Sequence, residues 1–156
     1  MLADKARSAY RRTEAGGGIR PVKLIHMMYE RVLLHLTYAE EGVTENNPRK
    51  RGENLGKAIA LITELSAAVS PEDKSEAAVF LRGLYNSILM ELPKVSTSGD
   101  TSILRQAARY IGELKKIWEE TAMREQGLEP SPTRAERRMQ PSPEAREAMA
   151  PLSVSI

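Results

Sequence analysis

The sequence predicts an all-α fold, an antiparallel four-helix bundle, and three features of the chain predict it. Pro21, Pro48, Pro71 and Pro93 divide the first three-quarters into helix-length segments. Proline fits the first turn of a helix, where its missing N–H would be unpaired anyway, and breaks a helix interior. Between the prolines, apolar residues recur at i, i+3, i+4 and i+7, the period of a helix with one buried face. Aromatic residues make up only 4% of the chain, less than an aromatic-rich sheet would use. With 41% hydrophobic and 28% charged residues, 156 residues suffice for one domain with a real core.

The pattern places residues 1–18 in an amino-terminal cap or short extra helix with a hinge, 19–126 in the bundle, and 127–156 in a disordered proline-rich tail. In the cap, Leu2, Ala6, Ala9 and Tyr10 form a weakly apolar strip. Gly16, Gly17 and Gly18 follow as a hinge, because three glycines carry high backbone entropy and no side chain to pack. The first bundle helix runs from Pro21 to about Gly42, its core stripe Ile25, Met28, Tyr29, Val32, Leu36, Ala39 and Val43. Leu24, Met27, Leu34 and Tyr38 lie off that stripe with Arg31 among them, so this helix is apolar on two faces. It is then either central among its neighbours or offers a groove to something outside the chain.

Asn47 before Pro48 is a cap followed by a first-turn proline. The run Arg49, Lys50, Arg51 opposes the helix dipole, and the regular helix is expected nearer Gly52. Leu55, Ile59, Ile62, Leu65 and Val69 form its stripe. Ser70-Pro71-Glu72-Asp73 reads as the start of the third helix, with Ala77, Leu81, Leu84, Tyr85, Ile88 and Leu92 facing inward until Pro93. After a polar loop over Ser96 to Asp100, the last helix carries Ile103, Leu104, Ala107, Ile111, Leu114 and Trp118 and ends near Gly127. The tail then holds five of the nine prolines and no aromatic residue. Such a composition buries too little apolar surface to offset ordering costs of about 1–2 kcal/mol per residue. A helical turn is expected only over Pro143 to Ala150.

The chemistry-bearing residues point away from catalysis. His26 and Glu30 stand one turn apart, two ligands short of a zinc or iron site, and His35 falls on the opposite side of the helix. The absence of Cys excludes disulfides and thiolate ligands. No nucleophile elbow, phosphate loop or dinucleotide fingerprint occurs, so neither an enzyme, a metal nor a cofactor is expected. A formal net charge of +2, with alternating signs, sets up no broad positive field. The clusters Arg49 to Arg51 and Arg134, Arg137 and Arg138 are short and diluted by Glu, so no nucleic-acid partner is expected. No apolar run has the length of a signal-peptide core or a membrane span, which predicts a cytoplasmic protein without membrane insertion. Met27 and Met28 are adjacent and cannot share a face; one fills core, and the other is a contact able to adapt to a partner.

Ala9-Tyr10-Arg11-Arg12-Thr13 followed by Lys23-Leu24-Ile25-His26-Met27-Met28-Tyr29-Glu30 resembles the flagellar secretion chaperone FliS family, with its Ala-Tyr-x-x-Thr element and Met-Leu-Tyr-Asp helix. Leu81-Arg82-Gly83-Leu84-Tyr85-Asn86 is similar to that family's second Leu-Tyr helix, and Leu114 to Trp118 to its Leu-x-x-x-Trp. The resemblance covers residues 9 to 124. Ile19-Arg20-Pro21-Val22-Lys23 departs from the usual Ser-Pro-Gly-Lys, Met28 from Leu, and Glu30 from Asp. It implies a cytosolic export chaperone that binds the disordered carboxy-terminal region of flagellin, prevents premature polymerisation and keeps the client competent for type III secretion. Components of the export gate are further expected partners. On this reading Tyr10, Leu24, Met27, Met28, Arg31 and Leu34 bind the client, while Tyr29, Leu84, Tyr85 and Trp118 are core. The strip around Tyr10 is expected to cover part of the groove in the free protein and to swing away on the glycine hinge. A bundle that regulates or scaffolds a folded partner is the alternative.

Overall fold

A computed structural model describes residues 20–130, all helical with turns between. The four long helices are α1 (Pro21–Thr44), α2 (Pro48–Ala68), α3 (Glu76–Glu91) and α4 (Thr101–Trp118), the last continued by a π turn over Glu119–Met123. The expected amino-terminal cap and hinge, and the tail beyond Pro130, lie outside the described residues.

Helix α1 takes the central position, packed along both α2 and α4, while α3 leans chiefly on α2. Its buried stripe is Val22, Ile25, Tyr29, Val32, Leu36 and Ala39, and His26 and Gly42 are buried with it. Ile62, Leu65, Tyr85, Leu92, Leu104, Ile111 and Trp118 complete a single core. Leu84 is half-buried against that core, and Tyr29, Tyr85 and Trp118 lie within it as expected.

The α1–α2 corner shows how local chemistry fixes the packing. Asn46 adopts φ +54, the left-handed conformation in which asparagine is tolerated. Asn47 N–H donates to the Gly42 carbonyl at 2.8 Å and Asn46 N–H to Val43 at 3.2 Å, the paired bonds of a Schellman stop. Asn47 then caps α2, its Oδ1 accepting from Lys50 N–H at 3.1 Å. Helix α2 therefore starts at Pro48 and not near Gly52. The basic run does not delay it because Lys50 Nζ reaches Glu41 at 2.9 Å and Glu45 at 3.2 Å, and Arg49 pairs with Glu53 at 2.9 Å.

Helix α3 departs from expectation at its start. Ser75 is the cap, its Oγ accepting from Ala78 N–H at 3.3 Å, five residues past the expected Ser70. Ser70-Pro71-Glu72-Asp73 forms a turn instead, with Asp73 N–H donating to the Ser70 carbonyl at 3.1 Å. Ser, Pro and Asp suit the corresponding turn positions as well as they suit a helix start. The Arg82 guanidinium locks the turn by donating to the Ser70 and Asp73 carbonyls at 2.9 and 2.8 Å. The expected polar loop is also more ordered: a 3-10 turn over Leu92–Lys94 and a helical turn over Val95–Ser98 carry the chain to Gly99, φ +62. At the far end, Gly127 at φ +66 closes a second Schellman stop, with Leu128 N–H donating to Met123 at 2.9 Å.

Polar groups inside the bundle are paired across elements. Tyr29 and Tyr85 share a hydroxyl hydrogen bond of 2.8 Å between α1 and α3. Trp118 Nε1 donates to the Val22 carbonyl at 2.8 Å, tying the end of α4 to the start of α1. His26, 2% exposed, sets Nδ1 3.1 Å from Glu30 and Nε2 2.7 Å from Glu119 at the head of the π turn.

A Cβ built on Gly42 would lie 2.5 Å from the Arg51 backbone nitrogen and 2.8 Å from its Cα. Backbone cannot rotate aside as a side chain can, so Gly42→Ala should destabilise the protein by about 1–3 kcal/mol in urea unfolding. An unchanged midpoint would mean that the helices do not approach this closely. Asp100 caps α4 by accepting from Ser102 N–H at 2.9 Å and from its hydroxyl at 2.6 Å. The Ser102 side-chain bond first, and the backbone bond second, hold the Asp100 carboxyl below its ordinary range. A lowered folded value means that the stabilisation is present above the unfolded value and is lost as pH falls through the folded one. The stability difference between the wild type and Asp100→Ala should accordingly shrink as pH drops below the ordinary aspartate range.

Candidate functional site

Two apolar surfaces remain uncovered on the described bundle. The first is the outer face of α1. Met27 is 38% and Leu34 46% exposed, two turns apart and directly opposite the core stripe, with exposed Arg31 between them. Leu24 and Tyr38 flank them half-buried. Met28 lies to one side, half-buried against the core. Of the residues singled out from sequence, Met27, Arg31 and Leu34 thus share one outward face, Leu24 borders it, Met28 turns aside, and Tyr10 lies outside the described residues.

The second surface was missed by the sequence reading. Helices α3 and α4 pack mainly on α2 and α1 respectively and little on each other. Between them lies a cleft of about 480 Å³, bordered by Ser87, Ile88 and Glu91 on α3 and by Ser102, Ile103, Gln106, Ala107 and Tyr110 on α4. Ile88 and Ala107 are buried and form its floor. Further along the same two helices a recess of about 40 Å³ is enclosed by Phe80, Leu81, Leu114, Ile117 and Trp118, with Tyr29 of α1 beneath. Phe80 is 54% exposed, and Ile117 and Tyr110 also stand partly out of the core. The cleft and the recess lie in line along the α3/α4 groove, and at a rise of 1.5 Å per residue the stretch of α3 that borders them, Ala77 to Glu91, is about 21 Å long, the length of a four-turn helix.

Tyr110 is held by a hydrogen bond of 2.7 Å from Gln106 Nε2, which fixes the ring at the rim. The recess is apolar, and the cleft sets Ile88, Ile103 and Ala107 among Ser87, Glu91, Ser102 and Gln106, a mixture that can bind by burial and orient by hydrogen bonds. Burying a half-exposed Phe or Ile further yields roughly 1 kcal/mol each. Among the described residues there is no group of three or more His, Cys, Asp and Glu placed to hold a metal ion. No helix among them is long and apolar enough to cross a membrane.

The signal for this groove was present in the sequence as apolar residues beside the core stripes: Phe80 on α3, Tyr110 and Ile117 on α4. That they face one another is a tertiary fact. Phe80→Ala should leave stability within about 0.5 kcal/mol, as for other surface sites, whereas Leu81→Ala should cost about 2–5 kcal/mol. Urea denaturation of the two variants measures the contrast, and an equally large loss at Phe80 would make it a core residue.

A family model described as flagellar protein FliS matches residues 3–126 of the chain. Among curated proteins, the flagellar secretion chaperone FliS of Vibrio cholerae is 26% identical over 100 residues, covering 64% of this chain and 74% of the relative. FliSB of Pseudomonas aeruginosa, also a flagellar secretion chaperone, is 29% identical over 122 residues, 76% of this chain and 97% of the relative. FliS of Escherichia coli is 24% identical over 127 residues, 79% and 93% of the two chains.

Proposed function

The chain belongs to the FliS family of flagellar secretion chaperones, and on that premise we propose that it is a cytoplasmic, non-catalytic export chaperone that binds the disordered carboxy-terminal region of flagellin. It holds that region away from self-assembly and delivers it to the flagellar export gate. The observation that carries this reading is the open, apolar-floored groove between α3 and α4. Its length and lining suit an amphipathic helix of an otherwise unstructured client, the helix-in-groove mode of recognition. The α1 face of Met27, Arg31 and Leu34, with Leu24, Met28 and Tyr10, supplies a second contact for the same extended client.

The energetics fit a carrier that must let go. A client that orders on binding forfeits on the order of 2–5 kcal/mol of its interaction energy, which keeps the complex reversible without ATP. A preformed groove limits the further cost on the chaperone's side. The alternative, a bundle that regulates or scaffolds a folded partner, requires no client ordering and is separable on that ground.

Calorimetry against the carboxy-terminal segment of a flagellin from the same organism should show binding with a negative heat-capacity change and a gain of helical circular dichroism. Binding without added helix would favour the folded-partner alternative. Phe80→Glu combined with Ile117→Glu should weaken binding at least tenfold. Met27→Glu combined with Leu34→Glu should weaken it less if the groove is the principal site. The reverse order would make the α1 face the principal site.

A further inference from the structure

We propose that the α3/α4 groove selects a basic amphipathic helix, one whose aliphatic stripe is flanked by Lys or Arg. The inference rests on the reading that a client helix lies in this groove, and it adds the chemistry by which that helix is chosen. Neither the cleft nor the recess is bordered by a Lys or an Arg. Carboxylates stand on both walls. Glu91 borders the cleft on α3, and Glu76 lies one turn before Phe80 on the same edge of that helix. On α4, Tyr110, Glu113 and Ile117 fall at i, i+3 and i+7, so Glu113 shares the edge that faces the groove. All three carboxylates are exposed.

The cations of these helices are directed elsewhere. Arg82 holds the Ser70 and Asp73 carbonyls, Arg105 pairs with Glu40 at 2.7 Å, and Lys115 lies 3.5 Å from Glu119. Arg109 and Lys116 each precede a groove residue by one position, which turns them about 100° away around α4. Lys94 reaches Glu91 Oε1 at 2.7 Å and leaves the second carboxylate oxygen open. The walls therefore set a pattern. Glu76 and Glu91 are about 22 Å apart along α3. Glu113 stands on the opposite wall between those levels, because Ile117 borders the recess with Phe80 and Ala107 borders the cleft with Ile88. A bound helix meets them with cations about four turns apart on one flank and a further cation midway on the other, while an aliphatic side chain enters the recess of about 40 Å³. A helix flanked by carboxylates meets like charge on both walls. Ion pairs at an exposed rim are individually weak, so burial supplies the affinity and the charges supply the choice.

The test uses the full chain and two designed peptides of about 18 residues, long enough to span the groove. Both carry one leucine stripe and no aromatic residue; lysine flanks the stripe in one and glutamate in the other. Trp118 is the single tryptophan of the chain and lines the recess, so its fluorescence reports occupancy of the groove. At low salt the lysine peptide should bind about tenfold more tightly, the sum of a few exposed pairs gained against a few repulsions, and the preference should shrink as added salt screens the rim. The formal net charge of the chain is +2, so unspecific attraction would favour the glutamate peptide instead. Glu91→Gln combined with Glu113→Gln should remove most of the preference with the circular dichroism of the chain unchanged. Equal affinities, tighter binding of the glutamate peptide, binding that leaves Trp118 unaltered, no binding of either peptide, or a preference that survives the double substitution would each overturn the proposal. A lysine peptide that binds as expected while a flagellin segment does not would remove the flagellin reading alone, and a flagellin segment that binds while the two peptides are not distinguished would remove this inference alone.

Discussion

The structure depends on the way α1 is wedged between its neighbours. A helix of 24 residues packs along α2 on one side and α4 on the other, and its backbone meets that of α2 at Gly42, where any side chain would push the pair apart. Close approach at the corner draws the α1 stripe deep into the core. Helix α3 rests chiefly on α2, and the groove is the seam left open between α3 and α4.

Polar contacts inside the bundle hold the seam at a fixed width. The Tyr29–Tyr85 hydroxyl pair spans α1 and α3 at its base, and Trp118 closes its end by donating to the Val22 carbonyl. Both bonds are buried, where an unmade hydrogen bond costs more than a made one contributes. They penalise collapse of α3 onto α4 and lateral drift of α4 along α1. His26 between Glu30 and Glu119 adds a third fastener at the π turn, so the end of α4 is located by side chains of α1 and not by helix propensity alone.

The two exposed apolar surfaces lie on different parts of the bundle, and their shapes set different roles. The α1 face is convex and broken by Arg31, so it can add affinity to a chain already bound but offers little enclosure. The α3/α4 groove has a floor and walls. Enclosure raises the apolar area buried per residue of ligand, and this is where burial translates into binding.

The fold class, the four helices and most of their inward stripes were legible in the amino-acid sequence, because period, proline position and caps are local properties. The second apolar face of α1 was legible too, and Met27 and Leu34 are indeed on the surface. Where local signals were ambiguous the reading slipped: Ser70-Pro71-Glu72-Asp73 serves a turn as readily as a helix start, and only Arg82, twelve residues from Ser70, decides between them. The sequence alone determined which residues are apolar and on which side of each helix they fall. The tertiary structure decided which of those sides meet and which stay apart, because whether Phe80 and Ile117 face a covering helix or the same open recess depends on contacts between residues far apart in the chain.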